Sequence, residues 1–286
     1  MTQIIDGRKI KKDILEEVKK GIAELPFQPV FCDVLVGDDP VSAQYVRMKA
    51  KTAEAVGFKF HKAHFPKTIS TEDLIPKIEK LNKIPRICGL IIQLPLPEHL
   101  DRQKILNAVS PKIDVDCLGE KASNLFYANK NFLGFPTALA CVYILDSLNL
   151  EIISPAGQKK ILIIGQGILV GRPVAQILKS RGWEVDIIVR QTEDEIKKNL
   201  IKNADIIISA TGQGKLIKGE MIKKGAIIID AGTSESKGGI VGDVDLDSIQ
   251  DVASFVSPVP GGVGPVTVAM LLKNVLEVAQ KLGSRF

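Results

Sequence analysis

The chain reads as an α/β protein of two domains, an N-terminal parallel α/β catalytic domain followed by a Rossmann-type dinucleotide-binding domain. Three observations predict this. Short runs rich in Val, Ile and Leu alternate with amphipathic stretches, the pattern of βα units whose strands are covered on both faces. A glycine turn, Gly165-Gln166-Gly167, stands directly between such a run and a helical stretch, where a dinucleotide fold binds phosphate. Finally, 286 residues suit two domains at roughly 150 residues each.

The elements follow in order. Ile10, Ile14, Val18 and Ile22 recur at four with Lys and Glu between them, which predicts a helix over 7–24. Residues 30–36 are apolar enough for a buried strand and end at the breaker Gly37-Asp38-Asp39-Pro40. Ser42 is expected to cap a helix over 43–56 that Gly57 terminates. A strand at 58–65, a helix at 71–82, a strand at 87–93 and a helix at 101–108 come next, and 128–136 is a candidate linker before a helix at 138–149. In the second half, strands are expected at 160–164, 185–189, 206–209, 226–229 and 254–256. Helices are expected at 170–181, 192–202 and 266–282. The domains are read as 1–138, with 265–286 packing back on it, and 139–264, with a cleft between them.

Composition narrows the function. Hydrophobic residues make up 45% and charged residues 25%, ordinary for a globular protein, and the net charge of +5 comes from scattered Lys and Arg. That speaks against a nucleic-acid role and suits a small anionic ligand. Four cysteines form no CxxC pair, which favours a reducing compartment. Three histidines are too few for most metal sites, so no metal is expected; His61 and His64 would point to opposite faces of a strand. No secretory signal and no apolar run near 20 residues is visible, so the cytosol is the expected address and no membrane partner is expected.

Four residue types on three elements suggest an active site. Tyr45 and Lys49 lie one helical turn apart, Gln93-Leu94-Pro95-Leu96-Pro97 ends a strand, and Asp114-Val115-Asp116 lies in a loop. In the second half, Gly165 permits the tight turn, Gly167 permits close approach of backbone to pyrophosphate, and the helix N-terminus offers free N–H groups. The spacing is GxGxxxG, one residue longer than the usual fingerprint. No acidic residue follows the second strand to hold a ribose hydroxyl. Arg190 stands there instead and suits a 2′-phosphate, favouring NADP over NAD. The loops at Ala210-Thr211-Gly212, Asp230-Ala231-Gly232 and Pro258 to Pro265 should share the carboxyl edge of the sheet.

Taken together, these motifs carry a likeness. Gly37-Asp38-Asp39-Pro40 with Ser42, Tyr45-x-x-x-Lys49-x-Lys51, Gln93 to Pro97, Asp114-Val115-Asp116, Val170-Gly171-x-Pro173, Gly242-Asp243-Val244 and Pro258 to Pro265 with Thr267 occur in one order along the chain. In that order the chain resembles the bifunctional methylenetetrahydrofolate dehydrogenase/methenyltetrahydrofolate cyclohydrolase family of one-carbon metabolism. The resemblance implies NAD(P)-dependent oxidation of 5,10-methylenetetrahydrofolate to the methenyl cation, then hydrolysis to 10-formyltetrahydrofolate. It implies Lys49 as the key catalytic group, assisted by Gln93, with Tyr45 lining the folate pocket and Asp116 holding the pterin. Leu94, Pro95, Pro260, Gly261, Gly262 and Thr267 would complete the substrate site. Gly165, Gln166, Gly167, Ile168, Arg190, Thr211, Gly232 and Thr233 would hold the cofactor. The family is typically a homodimer.

The chain departs from the family pattern at four places. Gln166-Gly167 stands for Arg-Ser, Arg190 for a serine, Phe135-Pro136-Thr137-Ala138 for Pro-Cys-Thr-Pro, and Cys117 for a glycine. If position 117 needs a positive φ, the cysteine is strained there. Rival readings are another two-domain NAD(P) dehydrogenase of shikimate type, and a folate or nucleotide binder with one or both activities lost.

Overall fold

The computed structural model describes residues 1–150, 153–154, 157–236 and 239–284. It divides into two compact units. One joins Met1–Lys12 to Thr137–Thr267; the other joins Asp13–Pro136 to the chain from Val268 onward. The N-terminus therefore differs from the expected 1–138 grouping, because the first twelve residues cluster with the dinucleotide-type unit.

The elements in chain order begin with β1 (Gln3–Ile4), α1 (Gly7–Ala23), β2 (Val30–Val36), α2 (Pro40–Val56) and β3 (Lys59–Phe65). Next come α3 (Thr71–Leu81), β4 (Ile87–Ile92), α4 (Arg102–Asn107), α5 (Glu120–Tyr127) and α6 (Pro136–Ser147). The second half holds β5 (Ile153–Ser154), β6 (Gly157–Gln158), β7 (Ile161–Ile164), α7 (Gly171–Ser180), β8 (Val185–Ile188), α8 (Asp194–Asn203) and β9 (Ile206–Ser209). Finally come β10 (Ile227–Asp230), β11 (Ser234–Ser236), β12 (Gly239–Val241), α9 (Leu246–Ile249), β13 (Phe255–Ser257) and α10 (Val263–Gly283).

The unit built on Asp13–Pro136 has a three-stranded parallel sheet in the order β3-β2-β4. β2 is central, and all seven of its residues are buried. β3, at an edge, carries Lys59, His61 and Lys62 on its exposed positions, which discourages further pairing. α10 is tied to this unit by Asn274, whose buried amide nitrogen donates to Val115 O (2.8 Å) and Gly134 O (2.7 Å). The stretch read as a linker is packed instead. Leu133 and Phe135 are buried, and the Phe135 ring meets Phe126 edge-on at 5.1 Å. Asn, Gly and Pro there mark turns, not slack.

The start of α2 also differs. Ser42 is not its cap: the helix begins at Pro40, and the Asp39 carboxylate accepts from Ser42 N at 2.7 Å. Proline fits the first helical position because its missing N–H is unpaired there anyway. The C-terminal end is as expected, with Gly57 in the left-handed region at φ +110°.

The other unit holds a six-stranded sheet, β1-β13-β10-β9-β7-β8, parallel throughout. Five strands were expected. β1, too short to show periodicity, adds a sixth by pairing Gln3 and Ile4 with Phe255 and Val256. After β7 the chain runs to β8 on one side and later to β9 on the other. The order reverses between β7 and β9, and open α/β sheets bind ligands at such a point. The last helix starts at Val263, not 266, so the Gly/Pro loop ends at Gly262 and Thr267 lies inside the helix.

Candidate active site and cofactor groove

The candidate catalytic cluster forms on α2, β2 and the end of β4. Lys49 lies on the buried face of α2 with Ser42, Val46, Ala53 and Val56. Its Nζ donates to Gln93 Oε1 at 2.8 Å and lies 2.6 Å from Asp33 Oδ2. The Gln93 amide nitrogen donates to Leu94 O, which turns its oxygen towards the amine. Lysine offers only donors, so that assignment is self-consistent.

Asp33 was not anticipated. It lies at the middle of β2 with no exposed surface. Burial pushes its carboxyl above the usual carboxylate range, while Lys49 and then Lys62 pull it back. The sequence did carry a trace of it, a lone carboxylate inside the apolar run Val-Phe-Cys-Asp-Val-Leu-Val.

Asp116 keeps part of its surface accessible. Its carboxyl is pushed up to about 7, first by burial, and the Lys49 charge opposes the shift. Asp114 is fully buried and structural: its carboxylate accepts from Gly119 N at 2.8 Å, and burial raises it to about 6. Cys117 has φ +58°, the positive value under which the family glycine would be relaxed. Tyr45, one turn before Lys49, is 43% exposed and free to offer a ring face. Leu94 is half-buried and Pro95 exposed, after a cis Leu94-Pro95 bond.

The cofactor candidates lie in the six-stranded unit. A groove of about 980 Å³ runs over the carboxyl ends of β7, β8 and β9. Gly165, Gln166, Gly167, Arg190 and Thr211 line it, as do Arg172, Asp194, Lys197, Lys198 and Gln213, which sequence reasoning passed over. Gly165 has φ +98°, and a Cβ there would fall 2.6 Å from Ala210 O. A Cβ on Gly171 would fall 1.9 Å from Gly165 O, so the strand–turn–helix closes only with glycine at both places. Nothing lies within 4 Å of the Cβ position of Gly167, which leaves open space over its backbone. A cradle with bare backbone, four cationic side chains against one carboxylate, and four uncharged polar ones (Gln191 with Gln166, Thr211 and Gln213) fits a dinucleotide with several phosphates.

Ile168 lies beside this groove, exposed, and does not line it. Gly232 is buried for another reason: a Cβ there would collide with the Asp243 carboxylate at 2.0 Å. That carboxylate accepts from Ser209 Oγ (2.6 Å), Thr211 N (2.7 Å) and Gln213 N (2.9 Å), and so shapes the loop after β9. Asp230, pushed up to about 6 by burial, binds the N–H groups of Gly232, Asp243 and Val244. Gly242-Asp243-Val244 stood in the motif set without a role, and this network supplies one. Thr233 is exposed after β10. Pro260, Gly261 and Gly262 follow β13. Gly261 has φ +111° and its oxygen accepts from Gly7 N at 3.0 Å, and Thr267 Oγ1 donates to Val263 O.

A buried, carboxylate-paired lysine in one α/β unit and a glycine-turn phosphate groove in a Rossmann-type unit define a two-domain nucleotide-dependent enzyme. Comparison with known proteins narrows the class. The tetrahydrofolate dehydrogenase/cyclohydrolase catalytic-domain model matches residues 5–116, and the NAD(P)-binding-domain model of the same family matches residues 136–282. The bifunctional protein FolD of Moorella thermoacetica is 39% identical over 98% of this chain and 99% of its own. The solved bifunctional FolD enzyme of Campylobacter jejuni superposes with a TM-score of 0.92 at 32% identity, covering 99% and 100% of the two chains. A Trypanosoma brucei dehydrogenase-cyclohydrolase, solved with NADP cofactor and an inhibitor, gives 0.89 at 32% identity, covering 98% of each.

The chain belongs to the tetrahydrofolate dehydrogenase/cyclohydrolase family. It is an NAD(P)-dependent enzyme that oxidises 5,10-methylenetetrahydrofolate to the methenyl form and hydrolyses that to 10-formyltetrahydrofolate. The shikimate-type rival survives only as a likeness of fold: a Thermus thermophilus shikimate 5-dehydrogenase reaches a TM-score of 0.50 at 14% identity. Among the described residues, no helix is long and apolar enough to cross a membrane.

Proposed function

We propose that Lys49 is the group that activates water in the hydrolytic step, with Gln93 orienting it. The observation that carries this reading is the buried amine held between a neutral amide and a carboxylate. Two such partners restrain the amine's orientation, and orientation is worth several powers of ten in rate. When bound, the nicotinamide supplies the hydride acceptor for the first step. The chain's own task there is to hold the folate. Tyr45 offers an aromatic face to the pterin, and Asp116, in the ionised form that the Lys49 charge favours against burial, accepts from the pterin N–H edge. Leu94, Pro95, Pro260, Gly261, Gly262 and Thr267 are assigned to the rest of the folate site.

In the second step, water attacks the methenyl carbon and must lose a proton. Lys49 in its neutral form receives it, and Gln93 keeps the lone pair aimed without adding charge. Gly165, Gln166, Gly167 and Thr211, with Ile168, Gly232 and Thr233 beside them, are assigned to cofactor binding, and Arg190 to a 2′-phosphate. NADP is accordingly preferred over NAD, a reading supported by the Trypanosoma brucei relative solved with NADP. The homodimer and cytosolic address expected from the sequence belong to the same proposal; sedimentation of the purified protein tests the first and fractionation of cells the second.

The direct test is Lys49→Gln. Hydration of methenyltetrahydrofolate should fall by roughly 10²–10⁴, the range of a lost general base, while NADP binding is retained. Undiminished hydration removes Lys49 from the role.

A further inference from the structure

We propose that Asp33 is a positioning residue of the hydrolytic step: it anchors the Lys49 amine and takes up its proton when the cationic folate arrives. The proposal rests on the role given above to Lys49 and adds a second member to it.

Asp33 occupies the centre of the central strand, at a position where a β-branched apolar side chain would pack well. A carboxylate there is not explained by stability, since a buried ion pair seldom outdoes apolar residues of like size. Among the described residues, neither Asp33 oxygen has a hydrogen-bond partner outside its ion pair with Lys49 at 2.6 Å. Structural carboxylates in this protein look different: Asp114, Asp230 and Asp243 each accept from two or more backbone N–H groups. Asp33 faces a single amine, and that amine is the one the chemistry needs.

The charged groups around it come from every neighbouring element. Lys49 approaches from α2, Lys62 stands opposite on β3, and Asp116 comes from the loop beyond β4. Gln93, at the end of β4, adds a dipole and no charge. Burial is the foremost influence on the Asp33 carboxyl and favours its protonated form. Moving one proton from Nζ to Oδ2 converts a carboxylate–ammonium pair into a carboxylic acid and an amine, with no change in net charge. A methenyl cation brought near Nζ repels an ammonium and tolerates an amine, so substrate binding itself drives the transfer.

The step then balances. The water oxygen bonds to the methenyl carbon, the C=N π pair returns to nitrogen, and the water proton goes to the Nζ lone pair. Ring opening forms the formyl C=O and breaks the C–N bond at the other nitrogen, which takes up a proton as the hydroxyl loses one. One proton is released overall, and the Asp33–Lys49 pair passes it to solvent.

The test uses Asp33→Asn, which keeps shape, and Asp33→Val, which suits an apolar strand and folds without a buried unpaired amide. Each is assayed for methenyl hydration and for hydride transfer across pH. In both variants Lys49 must give its proton to solvent, so the ratio of wild-type to variant hydration kcat should grow about tenfold per pH unit as pH falls. KM and the hydride step should move much less. A ratio that stays constant with pH, or an equal fall in both activities, makes Asp33 merely structural and overturns the proposal, as does wild-type behaviour. Lys49→Gln run alongside separates the two claims. Full hydration in Lys49→Gln defeats the reading of Lys49. A dead Lys49→Gln beside unaltered Asp33 variants defeats only that of Asp33.

Discussion

At Cys117 the backbone takes φ +58° while the side chain is wholly buried. A left-handed conformation costs a non-glycine residue about 1–2 kcal/mol, and burying a small thiol returns roughly as much. The two nearly cancel, which inverts the usual ranking of small residues here. Cys117→Ala keeps the strain and loses the thiol; Cys117→Gly loses the thiol and the strain. The glycine variant should therefore be at least as stable as the alanine variant in denaturant unfolding, with alanine lower by about 1 kcal/mol. Arg190 makes the opposite case, an exposed cation on the groove wall at the end of β8. If it holds a 2′-phosphate, Arg190→Ala weakens NADP binding roughly tenfold, the worth of one charge-assisted hydrogen bond, and leaves NAD binding almost unchanged. Titration calorimetry with both cofactors checks this, and equal losses would contradict it.

Between β7 and α7, three glycines have three different duties. Gly165 takes the positive φ of the turn, Gly171 lets the helix start against the Gly165 carbonyl, and Gly167 leaves open space over its backbone. Gly171→Ala should disrupt the turn, because the atom it meets is backbone and cannot swing away. Loss of cofactor binding together with a lowered unfolding midpoint is expected. Gly167→Ala should leave the midpoint unchanged, since its methyl meets nothing. It should still weaken cofactor binding if pyrophosphate comes close there. Parallel thermal melts and binding titrations separate the two duties. The order strand, glycine turn, helix was legible in the sequence because its cause is local: a φ that only glycine adopts easily, and a helix end with free N–H groups. The cap of α2 was misread for an equally local reason. Asp39 and Ser42 are both good caps, and only the backbone path selects the first.

Across the molecule, two structural carboxylates set a pH dependence. Burial raises Asp114 and Asp230 to about 6 from 3.8. Between those values the folded chain holds protons that the unfolded chain has released. Stability from these groups thus rises as pH falls through about 6, and is complete near pH 4. Each shift corresponds to about 3 kcal/mol at most. Carboxylates shifted the other way, Asp39, Asp101, Asp194 and Asp205, lie at or near the surface, where solvent weakens their influence, and they lose stability only at lower pH. The denaturant midpoint should consequently rise from pH 8 to pH 5, and Asp114→Asn should flatten that rise. A midpoint that stays flat over this window would show that these carboxyls titrate normally in the fold.

The sequence by itself determined the fold class, the helix and strand series, the glycine turn and the candidacy of Tyr45, Lys49, Gln93 and Asp116, because periodicity and φ preference act over a few residues and the order of motifs can be read directly along the chain. Only the tertiary structure decided that β1 completes the six-stranded sheet, that Asp243 shapes the loop after β9, and that Lys49 is paired with Asp33. Each of these joins residues distant along the chain. The partner of a buried charge is chosen by which groups folding excludes from water together, and no local pattern records that choice.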